Sequence, residues 1–233
     1  MSEIAVYWIW ADVLTYRSLL FDVPELPREA LFFHASSKLE SWPSPPPPVY
    51  IDDEEYIDTT DVQTNPDIWD LSGGSTVATS PKIIERLEPF LSMSAEMLPL
   101  ENRTGEELEL FALNVVNQLD TERCMDLSVG DEERKRLIEE AAADASLSDA
   151  EELRRGLAEG DPWPVLYPAF RPDCLGEPTF FTVSRLGKIF CLERSDRDDS
   201  LLRRLSEFQV TGLGSTKIWS NVTGAEPINL FRP

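Results

Sequence analysis

LELFALNVVNQLD, residues 108–120, is the stretch from which the fold is read. It is the longest continuous run of strand-forming residues in the chain. A turn-like NRTG at 102–105 precedes it, and the charged Asp120-Thr121-Glu122-Arg123 follows. Leu110, Phe111, Ala112, Leu113, Val115 and Val116 place apolar groups on both faces, the pattern of a strand inside a sheet rather than at its edge. Asn114 and Asn117 interrupt that pattern. If buried, each amide needs a hydrogen-bond partner, because an unpaired one costs about 1–3 kcal/mol. The run is therefore expected to be the central strand.

Working outward, residues 96–100 read as a strand that NRTG turns back into the central one as a hairpin. Ser80-Pro81 announces a helix, a capping hydroxyl followed by proline at the first helical position. Its expected apolar face is Ile83, Ile84, Leu87 and Leu91, with Phe90 adjoining, and Pro89 is expected to kink or end it. IAVYWIW at 4–10 carries three aromatic rings and strand propensity. Short strands are expected at 49–51, 56–57, 165–170, 179–183, 188–193 and 215–219. Residues 28–33 read as a short strand or a turn of helix. LSGGST at 71–76 reads as a loop, and SWPSPPPP at 41–48 as a stiff, extended surface connector. A helix over 197–208 places Leu201, Leu202, Leu205 and Phe208 at helical spacing, with Asp198 or Asp199 near its start. Gly212 and Gly214 flank the turn after it.

Residues 131–160 have the signals of a helical hairpin. Asp131 caps the first helix, and Ser148 with Glu151 forms a capping box for the second. Leu153 and Leu157 supply the second helix's apolar face, and Gly160 closes it. The resulting fold class is α+β: a mixed, largely antiparallel central sheet with peripheral helices and an inserted helical hairpin. Charge and motif content suggest an acidic N-terminal lobe, 1–95, packed on a core of 96–233 that carries the 131–160 insertion. A chain of 233 residues buries enough surface to fold without metal or disulfides.

The charge is lopsided. The chain has 43 acidic and 21 basic side chains, net −22. Residues 1–160 hold 34 acidic and 12 basic groups, while 161–233 hold nine of each. Such a field opposes direct contact with nucleic acid or anionic lipid and steers a basic partner toward the first part of the chain. The densest acidity lies in 49–70: Asp52, Asp53, Glu54, Glu55, Asp58, Asp61, Asp67 and Asp70, with no basic residue. Tyr50, Ile51, Tyr56, Ile57 and Trp69 are interleaved with it. Charges this dense repel one another unless a cationic surface arrives opposite them. Asp52, Asp53, Glu54, Glu55, Asp58 and Asp61 are thus candidate steering residues, and Tyr50, Tyr56 and Trp69 candidate anchors. The competing reading is a solvated face.

Catalytic chemistry finds little footing. His34 is the single histidine, so no site built on two or three histidines can form within one chain. Cys124, Cys174 and Cys191 lack C-x-x-C spacing. Cys174 and Cys191 are close enough in sequence to meet in space, although buried small side chains are the plainer reading. No serine sits in a G-x-S-x-G elbow. Gly73-Gly74-Ser75-Thr76 lacks a P-loop lysine, and Gly212-x-Gly214 lacks a third glycine. The acidic run does not match the spacing of a calcium-binding loop. We expect no catalytic residues, cofactor or metal. Met1-Ser2-Glu3 has no basic leader region, and no apolar run approaches a membrane span. Three widely spaced cysteines fit a reducing compartment, so a cytoplasmic location is expected.

Phe111-Ala112-Leu113-Asn114-Val115-Val116 leads through Leu119-Asp120 to Ser128. Further on come Ile189-Phe190, the Ser200 to Leu205 helix pattern, and Val210-Thr211-Gly212-Leu213 before Ser215 to Trp219. This combination resembles the bacterial polymorphic-toxin immunity family once catalogued as a domain of unknown function, DUF1629. The resemblance covers roughly 96–220, and its motifs are structural. Cys124 and Met125 depart from the family's plainer link at that point. The resemblance implies a cytoplasmic, non-enzymatic protein that binds a cognate toxin domain, such as a nuclease, and occludes its basic active-site surface. Two other readings stay open at this point. One is an interaction adaptor using the proline run or the acidic surface; the other is an enzyme using carboxylates with Mg²⁺.

Overall fold

The computed structural model describes residues 2–12, 16–21, 36–51, 65–71, 76–105, 107–126, 128–129, 132, 168–176, 180–184 and 188–226. Among them are twelve strands, three α-helices and one 3-10 turn. In chain order they are β1 (Ile4–Ala11), β2 (Ser18–Phe21), β3 (Pro48–Ile51), β4 (Ile68–Leu71), β5 (Thr76–Thr79) and α1 (Pro81–Leu91). There follow β6 (Ala95–Asn102), β7 (Leu110–Val115), β8 (Gln118–Leu119), α2 (Thr121–Cys124) and the 3-10 turn (Pro172–Cys174). The last are β9 (Phe180–Val183), β10 (Ile189–Arg194), α3 (Leu201–Glu207), β11 (Leu213–Ser220) and β12 (Gly224–Ala225). The fold is α+β, mixed and largely antiparallel, with peripheral helices. The expected hairpin at 131–160, the strand at 56–57 and the element at 28–33 lie outside the described residues.

The sheet content is divided in two. One part is a closed barrel in the order β2-β3-β6-β7-β5-β4; the other is an open sheet in the order β12-β11-β1-β10-β9-β8. Only β2–β4 and β3–β6 are parallel in the barrel, and only β8–β9 in the open sheet. The 95/96 boundary drawn from charge does not coincide with this division. It falls at the start of β6, while β1 pairs with β10 and β11 in the open sheet.

β7 lies between β5 and β6, so the interior position expected of it holds. Its alternation explains the apolar residues on both faces. Leu110 and Ala112 enter the barrel core, which also contains Leu19, Val49, Trp69, Leu71, Leu98 and Leu100. Leu113 and Val115 enter a second core between the barrel and the open sheet, with Ile9, Ile68, Phe180, Ile189 and Leu201. The run 108–120 is not one strand, however. It breaks at Val116 and Asn117, and Gln118–Leu119 continue as β8 in the open sheet. Both asparagines work at or beside this break. Asn114, fully buried, donates to the Ser36 carbonyl and to Glu96 Oε2, each at 3.0 Å. Asn117 donates to the Phe180 carbonyl at 3.2 Å and accepts from the Thr182 amide through its own carbonyl.

A third core covers the other face of the open sheet. Phe170 lies edge-on to Phe181, Phe190 and Trp219 at ring-centre distances of 5.9–6.1 Å. Such pairs add about 0.5–1.5 kcal/mol each beyond the area they bury. Within the expected strand 165–170, the described residues show an isolated bridge, Phe170 to Met125.

Helix α1 runs two residues past Pro89 before it ends, burying Ile83, Leu87, Phe90 and Leu91. Pro89 has no N–H to bond the Glu85 carbonyl four residues back, and the helix makes no full turn beyond it. Ser80 makes no side-chain cap bond. Helix α3 begins at Leu201, later than 197. Ser200, rather than Asp198 or Asp199, caps it by accepting from the Arg203 amide. Residues 41–46 run over the surface as expected but through a turn and bends rather than an extended run, with the Trp42 indole donating to the Pro99 carbonyl at 2.8 Å. Pro47 is buried and Pro48 already belongs to β3, so the proline run ends inside the barrel wall.

Candidate partner-binding face

The strand register fixes where the acidic segment leaves the barrel. Ile51 of β3 lies opposite Leu19 of β2, and β3 runs antiparallel to β2. β4 runs parallel to β2 with Asp70 opposite Ser18, so its first residue, Ile68, lies level with Tyr16. Both ends of segment 52–64 therefore attach to the same end of the barrel, one on each side of β2. Arg17, immediately before β2, lies between them.

Tyr50 is 39% exposed on β3, on the outer face, because its neighbours Val49 and Ile51 turn into the barrel. Trp69 is a correction. It shares the inner face of β4 with Leu71 and is 2% exposed in the barrel core, so it cannot anchor a partner. Aromatic content mixed with acidity was the signal used to choose it, and a period-2 strand takes every second residue inside regardless of acidic neighbours. Asp52, Asp53, Glu54, Glu55, Tyr56, Asp58 and Asp61 lie outside the described residues.

Two acidic groups of 49–70 are structural. Asp70 is buried in β4. Asp67 accepts through Oδ2 from the Thr211 amide and hydroxyl, both at 3.1 Å, while its own amide donates to Thr211 Oγ1 at 3.0 Å. Next to it, the Ile68 amide donates to the Thr211 carbonyl, and the Asp12 amide to the Gly212 carbonyl. Gly212 has φ +92°, and a Cβ there would lie 1.9 Å from the Ile68 carbonyl oxygen. Only glycine lets the α3–β11 corner approach β4 this closely. The base of the acidic segment is thus clamped to the open sheet.

Beside this clamp runs an open groove of about 390 Å³ between α3 and β11, lined by Leu202, Leu205, Gln209, Val210 and Leu213 among others. It meets a second hollow of about 340 Å³ at Leu202, lined by Glu3, Tyr7, Glu193 and Arg194 among others. Burial holds the Tyr7 phenol above its ordinary 10.0, against the pull of Lys217. The sequence placed Leu202 and Leu205 on an apolar helix face but gave no sign that β11 would leave a groove beside them.

Among the described residues, no three His, Cys, Asp or Glu side chains are grouped to hold a metal ion. His34 lies outside them. No described helix is long and apolar enough to cross a membrane. No family model matches this chain, and no curated protein is significantly similar to it. The resemblance to the immunity family therefore stands on the quoted motifs alone.

Proposed function

We propose that this chain is a non-catalytic immunity-type protein. It binds a cognate bacterial toxin domain and covers a basic active-site surface, acting in the cytoplasm without a cofactor. The observation that carries the reading is the attachment of 52–64 at one end of a closed barrel. In sequence, Asp52, Asp53, Glu54, Glu55, Asp58 and Asp61 fall between two strand ends held by the register, the first of which carries the exposed Tyr50. A nuclease must present positive charge to its phosphate backbone, and carboxylates can occupy that surface in place of phosphates. Long-range charge governs encounter, while aromatic groups supply affinity at short range. Tyr50 and Tyr56 take the second role.

The test is co-expression with the product of the adjacent gene, read by growth rescue and co-purification. Reversing Asp52, Asp53, Glu54 and Glu55 to lysine should slow association and flatten its dependence on salt. Unchanged kinetics and unchanged protection would overturn the assignment of the face. An adaptor acting through the same acidic face makes no toxin-specific rescue. An adaptor acting through the proline run is less favoured, because Pro47 and Pro48 are taken into the barrel wall.

A further inference from the structure

Two of the three cysteines meet across a long sequence separation. Cys124 ends α2 and Cys174 ends the 3-10 turn, and the two elements pack so that the thiols lie beside each other. Cys174 also donates to the Arg123 carbonyl at 3.4 Å. Three further contacts hold the two elements together. The Arg171 amide donates to the Cys124 carbonyl at 2.8 Å, the Asp126 amide to the Ala169 carbonyl at 2.7 Å, and Met125 bridges Phe170. The juxtaposition is therefore built into the backbone. Cys191, by contrast, is buried in the core between barrel and sheet, its sulfur 3.6 Å from Glu193 Oε1. The sequence reading of buried small side chains holds for Cys124 and Cys191, while the neighbour that Cys174 finds is Cys124 and not Cys191.

Access is unequal. Cys124 is 5% exposed, whereas Cys174 is half-buried on a surface turn. We propose that Cys124 and Cys174 form a reversible disulfide by exchange with a low-molecular-weight disulfide such as oxidised glutathione. Cys174 loses its proton, and its sulfur attacks one sulfur of the small disulfide. That S–S bond breaks, and one small thiolate leaves and takes up a proton. The Cys124 thiolate then attacks the Cys174 sulfur and expels the second small thiol, which carries away the other proton. Two protein thiols are oxidised by two electrons, and one small disulfide is reduced to two thiols.

The chemistry of the second step is constrained by burial. Burial first, and then the neighbouring Cys174 thiol, pushes the Cys124 thiol up to about 11. The thiolate is the attacking species, so ring closure is slow at neutral pH and accelerates about tenfold per pH unit through the alkaline range. Once formed, the bond ties together the two ends of the segment between 124 and 174. Constraining a loop of this length acts mainly on the unfolded chain and raises the melting temperature by roughly 5–10 K.

The experiment equilibrates the full-length protein in buffers of oxidised and reduced glutathione. A non-reducing peptide map and a thermal melt are read at each ratio. The expected result is a species two hydrogens lighter, with peptides bearing Cys124 and Cys174 joined, a raised melting temperature, and full reversal by a strong dithiol reductant. Cys174→Ser should abolish the cross-link and the melting shift. The proposal is overturned by accumulation of a stable glutathione adduct on Cys174 without ring closure. It is also overturned by a cross-link through Cys191, by no modification, or by a melting shift that persists in Cys174→Ser.

Discussion

At the scale of single residues, three positions separate what packing demands from what backbone conformation demands. Gly214 was expected in a turn but lies inside β11, where a Cβ would come within 2.1 Å of Cζ2 of the Trp10 ring. Gly214→Ala should therefore destabilise by about 1–3 kcal/mol through overpacking. Gly105, at φ +84° with open space around it, should lose about 1 kcal/mol on the same change from conformation alone. Urea melts of both variants compare the two, and equal small losses would mean that Trp10 does not confine Gly214. Gln209 presents the reverse case. It has φ +51° and closes α3 by donating to the Ser206 carbonyl, while Val210 reaches back to the Leu205 carbonyl. Glycine is the usual occupant of that position. Gln209→Gly should stabilise the fold by about 1 kcal/mol, measured as a shift in the urea midpoint at constant slope.

At the scale of elements, the barrel strands discriminate between two aromatic residues that the sequence treated alike. Trp69 and Tyr50 flank the acidic segment, one on the inner face of β4 and the other on the outer face of β3. Trp69→Ala should cost about 3–5 kcal/mol in chemical denaturation. Tyr50→Ala should stay within about 0.5 kcal/mol of the parent protein while weakening partner binding. A stability loss at Tyr50 as large as that at Trp69 would place Tyr50 in the core and remove it from the binding face. The same strand logic shows what was legible beforehand. The hairpin of β6 and β7 was readable because NRTG supplies its turn. Asn102 Oδ1 accepts from the Thr104 amide, and Asn102 Nδ2 donates to the Leu108 carbonyl. The break after Val115 was not readable, since Val116 and Asn117 have the same strand propensity whether they continue one sheet or pass to another.

For the molecule as a whole, self-repulsion from a net charge of −22 opposes the compact state at neutral pH. Added salt should raise the melting temperature, and so should mild acid as carboxylates begin to neutralise. A second effect then takes over. Burial alone would raise the Glu96 carboxyl, but hydrogen bonds from the Lys38 amide, the Ser37 hydroxyl and Asn114 outweigh it and hold Glu96 below its ordinary 4.5. Asp126 is lowered by the hydroxyl and amide of Ser128, and Glu207 chiefly by its hydrogen bond from Arg203. A carboxylate lowered in the folded state stabilises above its unfolded value, and that contribution is lost as pH falls through the folded one. The stability profile should therefore rise from pH 7 toward about pH 5 and fall below it. Glu96→Gln should make the acid limb shallower in thermal melts taken across that range. An unchanged limb would show that the Glu96 hydrogen bonds do not govern it.

The sequence by itself determined the α+β class, the interior placement of 110–115, the α1 and α3 helices, and the concentration of charge in 52–61. These follow from local periodicity, capping chemistry and composition, which act over a few residues. Tertiary structure decided the rest. It divided the strands between a barrel and an open sheet, turned Trp69 inward, drew Asp67 into a clamp with Thr211, and brought Cys124 against Cys174. Each of these depends on register between segments tens of residues apart or more. The pairing partner, rather than the residue's own neighbours, sets which face a side chain takes and what it meets there.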